Sequence, residues 1–213
     1  MKTVLRTYSI LDSLQPQFAS FLATVEQGYL PVEGQASILI EIAPAIEINR
    51  ITDVALKAAR VTPGLQIVER LYGLLELHGD SIGEVRRAGE AVLDALGLSE
   101  DERIRPTIRT SQIIHALDDH HTMLVNRSRH GNMITRGQSL YILEVSPAGY
   151  SSFAANEAEK ASNANILEVV SFGAYGRVWL GGEERDIVVA ARAAEEAIAG
   201  ITGIPEPEDA RRD

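Results

Sequence analysis

Sliding the chain along itself by 103 residues gives a match that runs without a gap. Arg6-Thr7 falls on Arg109-Thr110, Ile10 on Ile113 and Leu14 on Leu117. Gly34-Gln35 falls on Gly137-Gln138, Glu41 on Glu144, and Pro44-Ala45 on Pro147-Ala148. Ala55, Lys57 and Ala58 fall on Ala158, Lys160 and Ala161. Tyr72-Gly73 falls on Tyr175-Gly176, Leu77 on Leu180, Gly79 on Gly182 and Gly97 on Gly200. One offset shared by turn glycines and core positions is the mark of a tandem duplication. Whatever fold the chain adopts must be built twice. The expected units are residues 1–101 and 102–203, followed by a polar C-terminal tail over 204–213.

Each copy reads alike. "TVLRTYSIL" and "TIRTSQIIHAL" are apolar, β-branched strands. "QPQFASFLATVEQGY" and "DDHHTMLVNRSRHG" follow as helices. "QASILIEIAP" and "QSLYILEVSP" are apolar strands that proline stops. "AIEINRITDVALKAAR" and "AGYSSFAANEAEKASN" are helices, the first with a predicted stripe of Ile46, Ile51, Val54 and Ala58. Two short strands, "LQIVERL" and "LLELHG", are expected to join near Tyr72-Gly73. A last helix ends at Gly97, a residue suited to a C-cap. The predicted order is β-α-β-α-β-β-α, an α+β sandwich with helices packed on a mixed sheet.

Composition narrows the function classes. The 213 residues are 45% apolar and 23% charged, as in an ordinary globular protein. There is no cysteine, which excludes disulfides and thiolate zinc sites. A formal net charge of −10 argues against a nucleic-acid partner. No apolar run has the length of a membrane span, and "MKTVLRTYSILD" lacks the features of a signal peptide. The default location is the cytoplasm. "NRS" at Asn126 matches a glycosylation acceptor by chance.

The residues now in view resemble the bacterial microcompartment shell-protein domain. The first copy carries "ILIEIAP", then "DVALKAARV" with Asp53, Lys57, Ala58, Ala59 and Val61, then "ERLYG" and "HGDSIGEV". The second carries "YILEVSP", "NEAEKASNA", "SFGAYG" and "GGEERDIV", with Asn156 in place of the Asp and Ser162 in place of the second Ala. The resemblance covers roughly residues 4–201. A strand and helix at the start of each unit resemble the circularly permuted members, and two domains in one chain resemble the trimer-forming tandem type. The resemblance implies two permuted ferredoxin-like domains and a pseudohexameric homotrimer. It further implies a flat tile beside hexameric and pentameric shell proteins, with small metabolites passing a central pore. Two such trimers can also stack face to face. No cofactor is implied.

Glu69-Arg70 takes its meaning from this. By composition alone, the pair is two solvated charges at a strand end. The resemblance places Glu69, Arg70 and Leu71 on the symmetry axis, with Phe172 and Gly173 at the aligned positions of the second copy. Three arginines at one point repel unless Glu69 of a neighbour pairs with each, so the resemblance implies a gate with open and closed arrangements. Tyr72-Gly73 and Tyr175-Gly176 read first as turn and packing residues. Lys57 and Lys160 read either as snorkelling helix lysines or, by the resemblance, as tile-edge contacts.

The cluster His115, Asp118, Asp119, His120 and His121 invites a metal reading, with His115 and Asp119 on one face if the segment is helical. The first copy has Asp12, Gln15, Pro16, Gln17 and Phe18 there. A solvated helix start is the favoured reading, and no metal site is expected. Two other function classes stand beside the shell reading. One is a duplicated α+β regulatory protein that binds a small molecule between its domains. The other is an enzyme, for which only the histidine cluster offers polar groups beyond the repeat.

Overall fold

The computed structural model describes residues 3–206. The first copy runs β1 (Val4–Leu11), α1 (Pro16–Val25), β2 (Ala36–Ala43), α2 (Ile48–Ala58), β3 (Thr62–Glu69), β4 (Tyr72–Gly79) and α3 (Ile82–Leu96). The second runs β5 (Thr107–Ile114), α4 (Asp119–Ser128), β6 (Ser139–Ser146), α5 (Tyr150–Ala161), β7 (Asn165–Val170), β8 (Gly176–Gly182) and α6 (Glu184–Ala199). The order matches the β-α-β-α-β-β-α expectation twice over. A 3-10 turn at Glu100–Glu102 lies between them, where the boundary at 101/102 was expected.

Two four-stranded sheets result, in the orders β1-β2-β4-β3 and β5-β6-β8-β7. Every pair is antiparallel, so the expected mixed sheet is corrected. A helix between sequential strands suggests a parallel crossover. Here α1 leaves its own sheet to pack on β7 and α5, and β2 simply returns beside β1. Strands β2 and β3 do point the same way, but β4 is inserted between them.

Three local expectations also shift. The β3–β4 hairpin turns at Arg70-Leu71, with Glu69 opposite Tyr72 in the ladder, two residues earlier than Tyr72-Gly73. Gly73 and Gly176 instead pack under the loops at Ala45 and Ala148, where a β-carbon would meet the carbonyl oxygens. The buried stripe of α2 is Ile48, Ile51, Thr52 and Ala55, because a 3-10 turn at Ala45–Glu47 rotates Ile46 into solvent. Helix α3 behaves as read: Ser81 accepts from the Glu84 amide, and Gly97 takes the left-handed C-cap at φ 65°.

The expected tail begins as structure. Ile204 bridges the linker at Ile104, with Arg105 N donating to its carbonyl at 2.8 Å. Glu206 reaches Arg109 at 3.0 Å and Arg6 at 3.6 Å, so one carboxylate joins equivalent arginines of the two copies. Residues 207–213 of that expected tail lie outside the described residues.

The copies share a core. Leu11, Leu14, Phe18, Phe21 and Leu22 from the start of the first copy pack among Tyr150, Ala154, Ala158, Ile166 and Val178 of the second. A separate first-copy cluster holds Leu5, Ile38, Ile40, Ile48, Leu75, Val85 and Val92. Between them Arg6 and Glu41 are each about 1% exposed. Arg6 Nε donates to Glu41 at 3.2 Å, and Thr7 Oγ1 and the Gly149 amide donate to the same carboxylate at 3.0 and 3.1 Å. Burial still pushes the Glu41 carboxyl above its usual range. The aligned Glu144 meets Arg177 at 3.0 Å, with both side chains partly exposed. Glu41→Ala is therefore expected to cost about 3 kcal/mol, because it removes the nearer carboxylate of a buried guanidinium and leaves it only Glu206 at 3.6 Å. Glu144→Ala is expected to cost about 1 kcal/mol or less. Chemical denaturation of the two variants checks this; equal losses contradict it.

Candidate pore site

Glu69, Arg70 and Leu71 sit at the tip of the β3–β4 hairpin. Arg70 holds φ 44°, a left-handed conformation that is uncommon for a residue with a β-carbon. Gly173, the aligned residue, holds φ 93°, so both copies need the same backbone at this point. In the second copy glycine adopts it without strain; in the first the strain is accepted and an arginine is displayed. Among the described residues, neither Glu69 nor Arg70 has an ion-pair partner within the chain. Leu71 and Phe172 are exposed.

The two tips come together. Glu69, Arg70 and Leu71 line one recess of about 360 Å³ with Gly173, Ala174 and Tyr175. Behind it, the Arg6 guanidinium lies 3.5 Å from the Tyr72 ring centroid, and Arg109 lies 5.7 Å from that of Tyr175. Glu206, which bridges the two arginines, borders the same recess. The tips thus stand on a common base of paired aromatic and guanidinium groups.

The joint between the copies is the second component. Helix α1 supplies no cap of its own. Its first-turn amides at Gln17 and Phe18 donate instead to the Glu159 carboxylate on α5, at 2.7 and 2.8 Å. The Gln15 amide donates to Asn156 Oδ1 at 2.9 Å. Lys160 meets Asp12 and Glu157, each at 2.7 Å. Shifted by 103 residues, the same joint would set Asp53, Leu56 and Lys57 against His115, Asp118, His120 and His121. Within the chain those groups do not meet. Lys57 pairs along its own helix with Asp53 at 2.6 Å, and both are exposed. Phe21 is 2% exposed, but the aligned Leu124 is 57% exposed. Asn156 is fully buried, but the aligned Asp53 has a side chain 60% exposed. The two lysines expected to be equivalent therefore stand in unlike surroundings.

The histidine cluster divides. His115 precedes α4, so it does not share a helix face with Asp119. It faces Glu184 at 3.3 Å, and Asp119 faces Arg136 at 3.3 Å. Asp118 caps α4, accepting from the His120 and His121 amides at 3.0 Å, and these amides hold its carboxyl below the usual range. The segment starts a helix. Asn126 is tied to Ile134 through both its amide atoms. Sequence reading missed a buried group, Glu26, Glu76 and His78, because Glu26 lies far along the chain from the two β4 residues and none of the three has a match in the second copy.

The comparisons with known proteins show the family and the fold. Residues 5–102 match the family model described as the CsoS1D N-terminal domain. The carboxysome shell protein CcmP of Synechococcus elongatus is 54% identical over the whole of both chains. The carboxysome shell protein CsoS1D of Hydrogenovibrio crunogenus is 47% identical over 93% of this chain and 97% of that one. This chain belongs to the family of those shell proteins. Among solved structures, the fused permuted hexameric shell protein MSM0275 from the RMM microcompartment superposes with a TM-score of 0.92 at 45% identity. That match covers 94% of this chain and 99% of the other. The double-ringed trimeric shell protein MSM0271 has the same TM-score at 39% identity, over 96% and 100% of the two chains. The chain is thus a structural shell protein with two permuted microcompartment domains, and its named relatives are shell proteins.

Proposed function

We propose that three copies close into a pseudohexagonal ring, that the β3–β4 tips line its central pore, and that Glu69 and Arg70 gate it. The observation that carries this is the half-used joint. Each chain completes one joint internally and leaves the matching halves open at its two ends: α2 with Asp53, Leu56 and Lys57, and α4 with His121 and Leu124. A head-to-tail contact of that kind closes into a ring when its rotation permits, and the six-domain ring that the family resemblance implies is reached at three chains. Divergence across the repeat fits the same picture. Glu159 caps α1 inside the chain, while α4 is capped by its own Asp118 and Leu56 stands where Glu159 would.

The pore follows from the ring. Three charged tips alternate with three uncharged ones carrying Phe172 and Gly173, which makes the opening three-fold. Arg70 side chains turned inward repel one another by about 1 kcal/mol per pair at contact in water. A neighbour's Glu69 relieves that repulsion when the side chains turn aside. Small anionic or polar metabolites would pass such an opening under control of its lining charge. The carboxysome relatives make a carboxysome shell the setting for this tile, beside hexameric and pentameric shell proteins. The double ring named for MSM0271 supports stacking of two rings face to face.

A cryo-EM map of the purified protein is expected to show a three-fold ring with Glu69 and Arg70 at its axis. The double variant Glu69→Ala, Arg70→Ala is expected to keep the ring and widen its narrowest point. A monomer, or tips far from any axis, contradicts the ring; an unchanged constriction contradicts the gate.

Lys57 is also the proposed contact between tiles, as the family resemblance implies, and its side chain is 74% exposed in the single chain. Lys57→Glu is expected to abolish flat sheets in negative-stain images. Intact sheets would remove that role.

A further inference from the structure

The second copy shows what the scaffold requires at one buried place, and the first copy departs from it. Ser37, Gly64, Glu76 and His78 correspond, 103 residues on, to Leu140, Leu167, Trp179 and Gly181. Leu140 and Leu167 pack with Leu117, Val125 and Trp179 in a small apolar cluster. The first copy buries polar groups there instead. Glu76 is 1% exposed and His78 is 2% exposed. The Ser37 hydroxyl donates to one Glu76 oxygen, and His78 Nδ1 lies 3.1 Å from the other. Glu26, just past the end of α1, closes the remaining side. Gly64 passes over the group: a β-carbon there would collide with carboxylate oxygens of both Glu26 and Glu76. One donor atom from each of Glu26, Glu76 and His78 lies within 4.8 Å of the others.

Glu26 is the independent observation. It is 9% exposed; among the described residues its buried oxygens meet no N–H or hydroxyl donor, and the polar group they face is the Glu76 carboxylate. A buried carboxylate without a donor is costly, and two side by side are more so. Such a pair needs either a shared proton or a cation.

We infer that Glu26, Glu76 and His78 form a divalent metal site unique to the first copy. One imidazole nitrogen and two carboxylate oxygens are a donor set for Zn²⁺, Co²⁺ or Mn²⁺, with water completing the shell. The ion neutralises both carboxylates and ties the end of α1 to β4. Helix α1 is the element that makes the joint between the copies, so the metal would brace that joint. Glu76 also borders a cavity of about 430 Å³ between the copies, whose lining includes the exposed Thr24, Gln27 and His130.

The test uses the full-length protein, stripped with a chelator and then titrated calorimetrically with Zn²⁺ and with Co²⁺. One ion per chain is expected, with a rise of several degrees in Tm and a visible Co²⁺ spectrum of a low-coordinate site. Glu26→Gln and His78→Gln are each expected to weaken binding at least ten-fold. His120→Ala with His121→Ala is expected to leave it unchanged. Absence of saturable binding to the wild-type protein overturns the site and leaves a shared proton on the carboxylates. Binding that survives Glu26→Gln, or that is lost with the surface histidines, overturns it as well.

Discussion

The capping of α1 by Glu159 holds the two halves of this molecule in one arrangement. A helix start leaves amides that need acceptors, and α1 has none of its own. Among the described residues, the side chains that accept from its N-cap and first-turn amides, Asn156 and Glu159, lie on the other copy. Around those hydrogen bonds, Phe18, Phe21 and Leu22 lose their water against the second sheet and α5. Domain docking, the shared core and the approach of the two hairpin tips all follow from that contact. It is directional, so a domain that uses one face for it has the opposite face left over.

Duplication followed by divergence explains where the copies differ. The sheets, the glycines under the Ala45 and Ala148 loops, and the arginine-aromatic pairs behind the tips are kept. The changes concentrate where the two copies meet different neighbours. Arg6 is buried with Glu41 while Arg109 is part-exposed beside Glu206. Arg70 accepts a left-handed backbone that glycine would take freely, and the charge it displays is the difference between the two tips. A polar nest in the first copy is leucine and tryptophan in the second.

Much of this was legible in the residues. Element order, the C-cap at Gly97 and the helix start at Asp118 rest on local rules, and local rules are visible in sequence. The microcompartment resemblance was carried by Asp53, Lys57 and the strand-turn-strand around Arg70. Strand direction was not legible, because it depends on α1 packing on the other copy. The hairpin tip was placed two residues late: Tyr72-Gly73 looks like a turn, but Gly73 is glycine for close packing under Ala45. The α2 stripe slipped because a 3-10 turn precedes the helix and changes its phase. The two matching lysines differ within the chain in a way spacing does not show: Lys160 reaches across the joint to Asp12, while Lys57 pairs along its own helix with Asp53. The group of Glu26, Glu76 and His78 could not be read from spacing at all, since it is assembled from a loop and a strand.

The proposed ring depends on the open halves of the joint meeting one another, and the absence of native cysteine makes that contact easy to trap. Inside the chain, the Phe18 amide donates to Glu159; 103 residues away, the same positions are His121 and Leu56. With His121→Cys and Leu56→Cys in one chain, a short bismaleimide should link copies into a ladder that stops at three chains on a denaturing gel. A ladder that fails to form, or that runs on past three into an open polymer, would contradict a closed ring.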